Sequence, residues 1–148
     1  MQTGKTGVPP NGADLAGWKA AFADDSGRQF GDIVASDAVL EGSVFADPIT
    51  GRDAIWSVLR LSGSLYDILE FTHEVVSPDR TYLEWEARGL GLQIWGLTAL
   101  SKDTQGRITR IALHHRPLDA VIRFSAQLTE RVTAIINANG VPPTDRTT

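Results

Sequence analysis

Apolar positions along the chain recur first at helical spacing and later at strand spacing, and the changes of period divide it into elements. Leu15, Trp18 and Phe22 fall at i, i+3 and i+7 and predict a first helix, with Asn11 and Asp14 at its cap and residues 24–27 ending it. Phe30, Ile33 and Val34 predict a second helical piece over 28–35, before a strand that starts at Asp37. After a loop holding Pro48, Thr50 and Asp53 have the spacing of a capping box, and Ile55, Val58, Leu59 and Ser62 carry the apolar stripe of a central helix. Ser62-Gly63-Ser64 closes it. Leu69, Phe71, His73 and Val75 then alternate with Glu70, Thr72 and Glu74, the pattern of a half-buried strand with one histidine on its apolar side. Strands over 81–87, 92–100 and 107–115 follow, separated by the Gly89 and Gly91 break and a turn at 103–106. From Pro117 onward, Leu118, Val121, Ile122, Leu128, Val132 and Ile135 predict a long last helix, stopped by Gly140 and Pro142-Pro143.

Helices first, then a strand meander, then a helix predict an α+β domain over residues 13–140, with helices on one face of a curved sheet. Residues 1–12 read as a loose arm and 141–148 as a tail. The 148 residues suit one domain. With no cysteine there are no disulfides, no thiolate nucleophile and no thiolate metal ligand. That absence, with no charged-then-apolar leader, gives the expectation of a cytoplasmic protein. Apolar residues make up 42% without a membrane-length run, so no membrane association is expected. Net charge is −4 with scattered basic residues, which gives no footprint for nucleic acid.

Asp37-Ala38, Pro48-Ile49 and Gly51-Arg52 ahead of the central helix, then Gly96 and Gly106-Arg107-Ile108, give the chain its resemblance to the nuclear-transport-factor-2-like superfamily. Ketosteroid isomerases, limonene epoxide hydrolases and SnoaL-like polyketide cyclases share that fold. The resemblance spans roughly residues 15–117 and implies a cone-shaped, curved mixed or antiparallel sheet wrapped around helices. It also implies a deep apolar pocket and a homodimer through the outer sheet face. Fold alone does not settle function.

The resemblance places ketosteroid isomerase's general base at Gly42, its oxyanion-binding tyrosine at Trp18 and its second acid at Thr98. It places the charged trio of the epoxide hydrolases at Trp85, Ala87 and Leu113. None of the six ionises, so neither chemistry is expected. Asp47, before Pro48, is the one carboxylate that a rearranged loop would bring in as a base. In the implied register Leu83, Trp85, Ile94, Gly96, Thr98, Ile111, Leu113 and His115 point inward, and Glu84, Glu86, Trp95, Leu97, Ala112 and His114 point out.

These readings leave two functions open. One is a protein whose pocket, walled by Trp18, Tyr66, Phe71, His73, Leu83, Trp85, Ile94, Ile111 and Leu113, binds a small apolar metabolite. The other is a cofactor-independent isomerase, cyclase or hydrolase of polyketide- or terpenoid-type metabolism, with His115 as acid or base and Thr98 orienting a substrate oxygen. A dimeric adaptor is the third reading. Trp18, Trp85 and Tyr66 are also readable as ordinary core, and His115 and His73 as structurally satisfied. His114 and His115 face opposite sides of one strand, so no metal site is expected. An outward Trp95 with Leu97 and Ala112 reads as a face buried by a second copy.

Overall fold

The computed structural model describes residues 13–138, with side chains to residue 134. The expected arm over 1–12, the Asn11 cap, the Ile135 side chain, the Gly140 and Pro142-Pro143 stop and the tail over 141–148 lie outside the described residues. Ten elements follow in order: α1 (Leu15–Ala23), α2 (Arg28–Ile33), β1 (Val34–Gly42), β2 (Ile49–Thr50), α3 (Arg52–Gly63), β3 (Ile68–Val76), β4 (Arg80–Gly89), β5 (Leu92–Lys102), β6 (Ile108–Arg116) and α4 (Leu118–Ala138). The strands form one mixed, curved and unclosed sheet in the order β2-β1-β6-β5-β4-β3. Only β1 and β6 run parallel; the remaining pairs are antiparallel.

The inner sheet face carries two apolar clusters. Trp18, Phe30, Leu40, Ile55, Leu83, Leu100 and Ile111 form one under α1, α2 and α3. Trp85, Ala87, Ile94, Ala120, Phe124 and Leu128 form the other under α4. Strand β4 shows the cause most plainly, since Thr81, Leu83, Trp85, Ala87 and Gly89 are buried while every residue between them is exposed. Helix α1 is tied down by polar contacts: the Glu74 carboxylate accepts from the Leu15 amide at 2.9 Å, and the Thr81 hydroxyl donates to the Ala13 carbonyl at 2.6 Å. Arg52 donates to the carbonyls of Gly31 and Val34, joining the start of α3 to the end of α2.

Local chemistry differs from the sequence reading at four places. Asp14 caps α1 through its side chain, bonding the Gly17 amide. Helix α2 ends at Ile33, and β1 begins at Val34 rather than Asp37. Gly51, at φ 104°, precedes α3 with no side-chain cap, and Thr50 is drawn into β2, so the Thr50–Asp53 capping box does not form. In α4 the buried positions Ala120, Phe124 and Leu128 are four apart, while Leu118 and Ile122 are exposed. Residues two apart on a helix lie about 200° round the axis, so a face centred on 120 and 124 turns 118 and 122 outward.

A fifth difference moves a candidate residue. The β3–β4 register shifts between Phe71 and His73: Phe71 pairs with Trp85, but His73 pairs with Glu84. This bulge at Thr72 reverses the alternation of the rest of β3. His73 and Val75 therefore lie outward, and Glu74 turns inward to reach α1.

Candidate functional site

A cleft of about 500 Å³ opens on the inner side between α1, the end of α3 and the start of β3. Trp18 and Phe22 from α1 and Leu59 from α3 form one side. Tyr66, Leu69 and Phe71 form another, over Trp85, Thr98 and Leu113 from the sheet. Lys19 and Asp67 are the charged residues of the lining. Mostly apolar walls with a few placed polar groups suit a compact organic molecule.

The floor is set by a glycine. A Cβ at Gly96 would stand 2.0 Å from Trp85 Cζ2, so the absent side chain leaves room for the indole to lie across β5. There the Trp85 Nε1–H donates to the Thr98 hydroxyl oxygen at 3.0 Å. Both groups are buried, and the bond satisfies a donor that burial would otherwise strand.

Beside this floor His115 points inward, but its ring is enclosed rather than exposed to the cleft. Trp85 and Phe124 each lie 5.1 Å from it by ring centroid, and Tyr66 stacks at 6.5 Å. Its Nε2 meets the Tyr66 hydroxyl at 2.8 Å. Its Nδ1 is sealed from solvent with no partner among the described residues. Burial, with a smaller push from His114, lowers the imidazole from its ordinary 6.5 to about 4, so it is neutral near pH 7. Burial also raises the Tyr66 phenol, so both members of the pair are uncharged.

Of the candidate residues, Trp18, Tyr66, Phe71, Trp85, Thr98 and Leu113 meet at the cleft. Leu83, Ile94 and Ile111 face inward but are fully buried in the core and do not line it, because neighbouring side chains fill the space over them. His73 is on the outer face, its side chain 72% exposed and 3.1 Å from Glu84. Asp47 is exposed in the β1–β2 loop, away from the cleft lining. His115 sits behind Tyr66 and Trp85, which do line the cleft. Phe22, Leu59 and Leu69 join the lining beyond the residues first named, and Phe124 packs over the Tyr66–His115 pair. Phe22, Leu59 and Leu69 were visible as stripe positions, as was Leu128 in α4; Phe124 was not, since the stripe read there began at Leu118 and Ile122, which are exposed, and passed over Ala120 and Phe124.

On the opposite face a groove of about 560 Å³ runs between Glu84 and Glu86 on β4, Trp95 and Leu97 on β5, and His114 and Arg116 on β6. Arg116 lies over the Trp95 ring at 5.2 Å. No group of three or more potential metal ligands occurs among the described residues. No helix there is long and apolar enough to cross a membrane.

No protein-family model matches the chain, and no curated protein matches it. Solved structures do. A steroid delta-isomerase from Pseudomonas aeruginosa is 20% identical, with 88% of this chain and 98% of that one covered at a TM-score of 0.77. A nuclear-transport-factor-2-like protein of unknown function from Burkholderia xenovorans is 16% identical over 68% of this chain and 77% of that one, at 0.56. The chain has the nuclear-transport-factor-2-like fold. A protein of ketosteroid isomerase-like fold from Catenulispora acidiphila, solved in complex with trimethylamine, is also similar, at 17% identity, 80% and 94% coverage and a TM-score of 0.57.

Within the nuclear-transport-factor-2-like fold, Gly42 pairs with Leu113 across β1 and β6, and a Cβ there would stand 2.3 Å from the Leu113 carbonyl oxygen. Any side chain at this position has to displace backbone. The position that the resemblance assigns to a general base is thus sterically reserved for glycine.

Proposed function

We propose that the protein binds a compact, predominantly apolar small molecule in the cleft between α1, α3 and β3. The observation that carries this reading is the cleft itself, about 500 Å³ lined by Trp18, Phe22, Leu69, Phe71, Trp85 and Leu113. Ketosteroid isomerisation and limonene epoxide opening are not part of it, because the six positions corresponding to their charged groups hold Gly42, Trp18, Thr98, Trp85, Ala87 and Leu113. Acid–base chemistry by His115 is disfavoured by its enclosure and by its low proton affinity. Leu69→Trp, on a half-buried wall position, tests the reading by filling the cleft. Titration with 1-anilinonaphthalene-8-sulfonate should show one site per chain in the natural protein and at least about tenfold weaker binding in the variant, the loss of roughly one buried ring contact. Undiminished binding by a folded Leu69→Trp variant would put the ligand elsewhere.

A second reading concerns the outer face, which we propose pairs with a second copy. Sheet register sets Glu84, Leu97 and His114 at one level and Glu86, Trp95 and Arg116 at the next. A two-fold axis along β5 would lay the acidic row of β4 over the basic row of β6 in the other copy, with Trp95 and Leu97 meeting at the axis. The double variants Glu84→Lys/Glu86→Lys and His114→Glu/Arg116→Glu should each be monomeric by light scattering. Their mixture should recover dimers. A dimer in either variant alone, or no recovery on mixing, rules out this arrangement.

A further inference from the structure

Three hydroxyls belong to cleft residues: that of Ser62 donates to the Val58 carbonyl at 3.0 Å, and a ring nitrogen stands behind each of the other two, on Tyr66 and Thr98. The indole nitrogen of Trp85 only donates, so the Thr98 oxygen must be the acceptor of their 3.0 Å bond. The proton of the Thr98 hydroxyl is then given to no acceptor among the described residues. Tyr66 and His115 pose the same question with two answers, since an imidazole nitrogen either donates or accepts according to its tautomer.

With the proton on Nδ1, Tyr66 donates to Nε2, and an N–H donor is left sealed where neither solvent nor any described acceptor reaches it. With the proton on Nε2, His115 donates to the Tyr66 oxygen. Nδ1 is then only a bare lone pair, and the donor in need of a partner is the phenol, on a residue that lines the cleft. Both arrangements leave one donor over, but only the second leaves it on a residue that lines the cleft instead of on an atom sealed from solvent and from every described acceptor. Buried unpaired N–H groups are also rarer than unpaired acceptors. Because burial keeps the ring neutral, it holds a single N–H to place.

We infer that His115 carries its proton on Nε2 and donates it to Tyr66, so that Tyr66 and Thr98 both turn hydroxyl protons toward the cleft and select an apolar molecule bearing an acceptor oxygen, such as a ketone or ether. This rests on the cleft being the binding site. His115 is here a positioning residue: it fills the acceptor side of the phenol and, through the chained bond, strengthens its donor side. A hydrocarbon of the same shape fits the walls but leaves both protons unmet.

Two measurements decide it. Nitrogen-15 spectra of a His73→Gln/His114→Gln variant, which retains His115 alone, should show a protonated Nε2 and a bare Nδ1 between pH 6 and 8; a protonated Nδ1 overturns the inference whatever the cleft binds. Partitioning of 4-tert-butylcyclohexanone and tert-butylcyclohexane from the vapour phase then compares an acceptor-bearing probe with its hydrocarbon. The ketone should be preferred by about five- to tenfold beyond its partition into an inert apolar solvent, the value of one net hydrogen bond. Tyr66→Phe should lose most of that preference while holding the hydrocarbon as before. Equal preference in both proteins overturns the inference and leaves the cleft reading standing. Retention of neither probe overturns the cleft reading and, with it, the ligand class.

Discussion

Phe124→Ala is expected to cost about 3–5 kcal/mol, the range for removing a fully buried aromatic from a packed interior. The side chain is 1% exposed. Its ring lies 5.1 Å from both Tyr66 and His115, and α4 reaches the sheet largely through it, Ala120 and Leu128. Little in the surrounding ring cluster can collapse into the space, since Trp85 is held by its Thr98 bond and Tyr66 by His115. Ile122→Ala is the control on the same helix. At 59% exposure it should change stability by no more than about 0.5 kcal/mol. Urea denaturation of both variants checks the pair, and equal losses would show that α4 packs in the phase of Leu118 and Ile122 instead.

The second large effect is a fall in stability on acidification. His115 takes up its proton at about 4 in the folded protein but near 6.5 once unfolded. Above pH 6.5 both states hold it neutral, and the histidine adds no pH dependence. Below 6.5 the unfolded chain binds the proton first, so stability drops as pH falls from about 6.5 to about 4, by roughly 3 kcal/mol at the lower end. Carboxylates contribute their own loss toward the acid end, and a variant separates the two. His115→Gln should flatten the slope between pH 6.5 and 5, where carboxylates remain mostly ionised. Denaturation midpoints that fall equally steeply in both proteins over that interval would contradict the assignment.

Much of the architecture was legible because it rests on period. The alternation of Leu83, Trp85 and Ala87 with Glu84 and Glu86 fixes which face of β4 is inward, and pairing with β5 and β6 carries that assignment to Thr98, Leu113 and His115. What was not legible depends on contacts distant in sequence. Tyr66 and His115 are 49 positions apart, and neither residue alone signals that one will hold the other's hydroxyl. Leu83, Ile94 and Ile111 show that an inward direction does not make a residue part of a cleft, because occupancy depends on what packs above it. One extra residue in a strand has no signature of its own, and at Thr72 it was enough to send His73 to the other face. Helix caps fell between these extremes: Asp14 was within the pattern, whereas Gly51 won over Thr50 because β2 claimed the threonine.

The Thr72 bulge also bears on how the molecule stays separate from its neighbours. Strand β3 ends the sheet, and no described strand pairs along its far side, where Ile68, Val75 and Val76 are exposed. A regular strand in that place would offer a continuous row of free amides and carbonyls, a template on which another extended chain can lie down and start a fibre. The bulge breaks that row into two short runs of different facing, and Glu74 and His73 add charge or polarity just beyond the break. An incoming strand would have to kink at the same residue to follow it. The irregularity that displaced one histidine thus also guards the open margin of the sheet against uncontrolled growth.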